Sequence, residues 1–113
     1  MKVIIAGGRN VTDYEVLLNA VLHAGFDITA VISGGAKGAD ALGEQFAEDT
    51  GLPVYKFPAH WEKYGKAAGP IRNELMAEFG DALIALWDGK SRGTKHMIEQ
   101  ANKHGLRVHV ELV

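Results

Sequence analysis

The 113-residue chain contains no cysteine. It can form neither a disulfide nor a thiolate metal site. Charge of one sign is also scarce: 12 basic side chains face 14 acidic ones, a formal net charge of −2. That balance gives no global attraction to DNA or to a membrane surface, although it leaves room for a local basic patch. Long apolar runs are missing too. The opening MKVIIAGG has only the stretch Val3 to Ala6, too short for a signal peptide or a bilayer span, and it reads as a first strand. No other stretch is long enough, so the default expectation is a cytoplasmic protein with no membrane partner. Internal repeats, low-complexity tracts and linkers are absent, and residues 1–113 are expected to form one domain.

Several catalytic frames are missing as well. The five histidines form no H-x-x-x-H or H-E-x-x-H pattern, so no metal is expected. Ser33 precedes glycines but lacks the G-x-S-x-G frame of a nucleophile elbow. Gly89-Lys90-Ser91 imitates the end of a P-loop, yet Ile84 stands where the first glycine belongs, and G-x-G-x-x-G does not occur. P-loop NTPases and nicotinamide dehydrogenases are therefore disfavoured, and no cofactor is expected.

What is present is an alternation of short apolar runs with amphipathic stretches. Strands are predicted over Lys2–Ala6, Ile28–Ser33, Pro53–Phe57, Ala82–Trp87 and Arg107–Leu112. Helices are predicted over Asp13–Ala24, Ala39–Thr50, Pro70–Phe79 and Thr94–His104, with a loop from His60 to Gly69. Thr12 or Asp13 can cap the first helix, and Gly25, Gly51 and Gly105 can end three of them. The resulting expectation is an α/β, Rossmann-like, three-layer domain. Four helices cover a five-stranded parallel sheet of order 3-2-1-4-5. Proline at 53 and the alternating pattern of 107–112 mark edge strands. In such sheets ligands bind at the carboxyl ends of the strands where the order reverses, here between strands one and four.

Glycine and polar groups concentrate at that edge. Three of the strand-to-helix loops are GGRNVTD (7–13), SGGAKGAD (33–40) and DGKSRGT (88–94). The junctions at the opposite edge are plain turns. Glycine lets backbone N–H groups approach a ligand, and the helix that follows adds its positive dipole end. This makes Gly7, Gly8, Ser33, Gly34, Gly35, Gly38, Gly89 and Gly93 candidate ligand-binding positions. Arg9 and Lys37 would add charge, Lys90, Ser91, Arg92 and Thr94 polar contacts, with Thr94 doubling as a helix cap. Arg72 and Asn73 open the third helix. A cation there opposes the dipole unless it meets an anion, for which Glu74 and Asp88 are available. Asp40, Glu44 and Asp88 are the candidate catalytic carboxylates, Asp40 and Asp88 also candidate ligand contacts. His60, Trp61 and Tyr64, with Lys63 and Lys66, either pack as a lid or stack on a base.

Taken together, GGR, SGGAKGAD, FPAHWEKYGKAAGPIRNELM and DGKSRGT resemble the YpsA-related branch of the SLOG superfamily over nearly the whole chain. The resemblance implies a Rossmannoid fold and a nucleotide-derived ligand. The superfamily holds phosphoribohydrolases of the LOG type, which cleave the N-glycosidic bond of nucleoside monophosphates. It also holds the DNA-processing protein DprA and domains thought to sense nucleotide-derived ligands. Arg72 stands where LOG enzymes carry an arginine at a helix start, and Gly93-Thr94 matches the Gly-Thr of their P-G-G-x-G-T-x-x-E motif. The glutamate of that motif is replaced by Met97, with Glu99 two residues on, and Pro-Gly-Gly by Gly89-Lys90-Ser91 with Arg92.

Three readings follow. The leading one is a domain that binds a nucleotide or nucleotide-sugar such as an ADP-ribose-like molecule. The second is a hydrolase of N-glycosidic or phosphoribosyl bonds. The third, binding of nucleic acid, is disfavoured by the −2 charge. Self-association is compatible with the chain, and Met76, Phe79 and Met97 are candidate apolar contacts for it.

Overall fold

In a computed structural model describing residues 1–113, the aliphatic runs line up as one parallel sheet. Its strands are β1 (Lys2–Gly7), β2 (Ala30–Ser33), β3 (Val54–Lys56), β4 (Ala82–Trp87) and β5 (Arg107–Leu112). The order is β3-β2-β1-β4-β5, as the alternation predicted. β1 is central, pairing Val3 with Val31 on one side and Ile4 with Leu83 on the other. Period-2 geometry sends alternate residues to opposite faces. Val3, Ile5, Val31, Ile84 and Leu86 meet α1 (Tyr14–Ala24) and α2 (Ala39–Thr50). Ile4, Ala6, Ile32, Leu83 and Ala85 meet two further helices on the other face, through Met76, Ala77, Met97 and Ala101. Both faces are thus dry, which explains why the central strands read as continuous apolar runs rather than alternating ones.

Local signals set the helix ends. The Asp13 carboxylate caps α1 by accepting from Glu15 N–H, and Gly25 closes it in the left-handed conformation at φ 66°. The predicted loop at 60–69 is instead structured. The amides of Lys63 and Tyr64 donate to the His60 carbonyl, forming the one-turn helix α3 (Trp61–Tyr64). A 3-10 turn over Gly65–Ala67 then leads into α4 (Ala68–Phe79). Pro70 is consequently the third residue of α4, within the first turn whose N–H groups have no helical acceptor, so its missing donor costs nothing. The last helix, α5 (Arg92–Lys103), begins before Thr94 because Ser91 is its cap.

Met76 and Met97 are 2% and 1% exposed in the core. Phe79 is half-buried against Tyr55 and Phe57, with the Lys2 ammonium over its ring. None of the three offers an open face for self-association. No helix is long and apolar enough to cross a membrane.

Candidate functional site

β1 and β4 stay paired to their carboxyl ends, and where the loops after them leave the sheet, at the point where the strand order reverses, a cleft of about 970 Å³ opens. Its walls come from the loop after β1, the start of α4 and the start of α5. Of the residues singled out by sequence, Gly7, Gly8, Arg9, Asp40, Arg72, Asn73, Asp88, Ser91, Arg92, Gly93 and Thr94 line it. A smaller cleft of about 400 Å³ adjoins it and takes Gly34, Gly35 and Lys37. Arg9, Ala36, Trp61 and Arg72 line both, so they form the divide between the two. Ser33, Gly38, Glu44, Gly89 and Lys90 line neither.

The glycines of the 33–40 loop do a different task from the one their number suggests. Gly38 has φ +74° and ψ −124°, a region open to glycine alone. A side chain there would run into the backbone of Gly8 and Arg9. The Ala39 N–H donates to the Gly8 carbonyl at 3.2 Å. Gly38 therefore exists so that two loops can touch. At Gly34 a Cβ would collide with the Arg72 guanidinium and approach the Asp40 carboxylate at 2.9 Å. Two more amides of the loop are satisfied internally: Gly35 N–H donates to Ser33 Oγ at 3.1 Å and Ala36 N–H to Asp40 Oδ2 at 3.1 Å.

Arg72 lies a full turn into α4, not at its start, so the dipole no longer opposes it. Its Nη1 donates to the Gly34 carbonyl at 2.8 Å and its Nε to Asn73 Oδ1 at 3.1 Å. Neither Glu74 nor Asp88 is its partner. The buried Asn73 amide donates in turn to His96 Nδ1 at 3.1 Å, and sits 3.4 Å from the Gly93 carbonyl. As an acceptor, His96 Nδ1 leaves the ring proton on Nε2. A continuous polar chain therefore runs from the 33–40 loop, through α4, to α5. His96 lines the cleft and was missed by sequence reasoning. Its signal was the i, i+3 relation to Gly93, which puts both on one helix face.

Asp40 is 7% exposed, in the first turn of α2. Burial pushes its pKa above the usual carboxylate range; the Ala36 N–H and the charges of Arg72 and Arg9 pull it back, and Glu44 adds to the rise. Burial likewise draws Arg72 down, with Asp40 opposing and Arg9 reinforcing that change. Asp88 behaves oppositely. Its exposed carboxylate accepts the Ser91 and Lys90 N–H groups at 2.8 Å each, and these hold its pKa below the usual range. Glu44 accepts from Ser33 Oγ at 2.6 Å and pairs with Lys56 at 3.4 Å.

At the start of α5, Ser91 Oγ accepts from Thr94 N–H at 3.4 Å and lies 3.1 Å from Thr94 Oγ1. The Ser91 carbonyl accepts from Lys95 N–H and Trp87 Nε1. The N–H groups of Arg92 and Gly93 have no partner within the chain, and both residues line the cleft. Trp61, 51% exposed, leans its ring edge over Gly69 rather than entering the core.

Comparisons with known proteins agree with this architecture. A family model described as YspA, cpYpsA-related SLOG family matches residues 1–64. The Gene 61 protein of Mycobacterium phage D29 is 34% identical over 116 residues, covering 95% of this chain and 93% of that protein. Among solved structures, DNA processing protein A (DprA) from Streptococcus pneumoniae matches 96% of this chain with a TM-score of 0.76 at 18% identity. The chain spans 49% of the DprA chain, and the likeness is one of fold.

Proposed function

The chain belongs to the YspA, cpYpsA-related SLOG family, and on that premise we propose that it binds a nucleotide or nucleotide-sugar in the cleft between β1 and β4. The observation that carries this reading is the conjunction, in one cleft, of the unpaired Arg92 and Gly93 amides on the α5 side with Arg9 and Arg72 on the walls made by the β1 loop and α4. A helix start with free donors favours an anion. Two arginines add charge and bidentate geometry suited to phosphate. The exposed face of Trp61, on the divide between the clefts, supplies a surface on which a base can stack.

A thermal-shift panel of AMP, ADP, ADP-ribose, NAD, ribose 5-phosphate and phosphate, with products assayed in the same wells, tests the reading. A ligand at about 100 times its dissociation constant adds about 2.7 kcal/mol, a shift of several degrees for a domain of this size. Silence across the panel overturns it.

Cleavage is the second reading, and one observation favours it. Asp40 is a cleft carboxylate whose pKa is raised by burial, the direction that favours a proton-donating role. In this reading Asp40 protonates the leaving base and Asp88 provides a second, ionised carboxylate. Glu44, engaged by Ser33 and Lys56, is a poorer candidate. Release of free base or ribose phosphate, lost in Asp40→Asn, distinguishes an enzyme from a binding domain. The DprA likeness raises nucleic acid as a partner, but a formal charge of −2 speaks against it.

A further inference from the structure

A second cluster of chemistry-bearing side chains lies apart from the cleft, where α1 meets the edge strand β5. In β5 the pleat sends Val108 and Val110 into the core beneath α4 and α5. The intervening His109 and Glu111 therefore face α1. The last turn of α1 brings His23 to the same spot. His23 Nδ1 is 3.0 Å from both carboxylate oxygens of Glu111, and His109 Nε2 is 2.7 Å from Oε1. The two imidazole rings are 6.3 Å apart and inclined at 61°. All three donor atoms lie within 4.8 Å of one another.

We propose that His23, His109 and Glu111 form a binding site for a divalent transition-metal ion of the zinc class. Two imidazole nitrogens and one carboxylate oxygen are the donor set zinc accepts, and they suit nickel and copper as well. Magnesium and calcium are excluded, because they require six or more oxygens or several retained waters. A tetrahedral ion with bonds of about 2.0–2.1 Å holds its ligand atoms roughly 3.4 Å apart. The His–Glu separations of 2.7 and 3.0 Å must open slightly, and the two imidazole nitrogens, within 4.8 Å of each other, must settle to the same spacing to admit an ion. The movement is easy for His23, whose side chain is 60% exposed. Exposure also leaves the fourth position to water. The site joins a helix to an edge strand, so an ion there fastens α1 to β5. Neither imidazole has a further partner within the chain for its remaining nitrogen, so the ligands are held less firmly than in a buried structural zinc site. None of the three residues lines the cleft, so the site is independent of the proposed nucleotide.

The test uses the full-length, tag-free protein, stripped with a chelator and titrated with zinc and with cobalt. The expected results are a rise in melting temperature with zinc and the intense visible absorption of tetrahedral cobalt. Magnesium at the same concentration should do neither. His23→Asn, at an exposed position that should not disturb folding, weakens binding by an order of magnitude or more, and His109→Gln does the same. Absence of any zinc shift overturns the proposal. So does a shift that survives in both variants, since it would assign the metal to other histidines such as His60 or His104. If both variants also lose basal stability, the cobalt spectrum decides, because a purely structural ion pair gives no absorption at all.

Discussion

The loop after β2 and the loop after β4 are both rich in glycine and both lead into a helix, yet they use glycine in opposite ways. Around Gly34 and Gly38 there is no room for a side chain; their neighbours are Arg72, Asp40 and the backbone of Gly8 and Arg9. Around Gly89 and Gly93 a Cβ would meet nothing within 4 Å. The first loop uses two of its three glycines, Gly34 and Gly38, to bring three segments together, while Gly35 has open space around it. The second keeps its helix start open to the cleft. Glycine content alone therefore does not identify an anion site. What matters is whether the amides it frees face a ligand or already have partners.

The sharpest way to break this comparison is Gly38→Ala. The strained backbone costs about 1–3 kcal/mol, and overpacking against the β1 loop costs about 1–3 kcal/mol more. We expect urea unfolding to register a loss of about 3 kcal/mol; a loss below 1 kcal/mol would refute the packing role of Gly38.

Arg72→Met comes next, because Arg72 both ties the first loop to α4 and presents charge to the cleft. Losing hydrogen bonds made by a charged group costs about 1.5–3 kcal/mol, or roughly 10- to 100-fold in affinity for a bound phosphate compound. Calorimetric titration with whichever panel compound binds should reveal this, and unchanged affinity would remove Arg72 from the site.

Asp40→Asn sharpens the comparison through pH. The folded-state pKa of Asp40 is raised by burial. Its relative stabilisation is therefore fully present below the unfolded pKa and is lost as pH rises through the folded value. Wild type should lose stability relative to the Asn variant across that interval and run parallel to it at higher pH. Melting curves from acid to neutral pH would read this directly; a constant difference would mean that Asp40 is not perturbed.

The smallest expected effect is Gly93→Ala. Open space surrounds the position and it lies in a helix, so stability should stay the same or rise by up to about 1 kcal/mol. Any change in binding then reports on ligand contact alone.

The sheet order, the parallel pairing and the position of the cleft were legible in the chain. Period-2 and helical patterns and the run of end-capping glycines are local properties. Local geometry constrained by right-handed crossovers leaves few topologies. The loop at 60–69 was misread because WEKY carries no apolar periodicity; its single turn is held by the two amides reaching the His60 carbonyl. Thr94 was expected to cap α5, but Ser91 lies where an oxygen can accept from the third residue of the helix. His96 was not singled out because its one local signal, the i, i+3 relation to Gly93, does not by itself distinguish a cleft histidine from a solvated one.

By itself, then, the sequence determined which segments become strands and helices, which strands lie at the centre and which edge carries the polar loops. Hydrophobic period and glycine placement act over a few residues and survive without knowledge of the rest of the chain. Only the tertiary structure decided which glycines face a ligand and which face a neighbouring loop. It alone decided that Asp40 is buried while Asp88 is not, and that His23 meets His109 and Glu111. Those outcomes depend on contacts between residues tens of positions apart, and the free energy of a charge or an amide is set by what surrounds it in space.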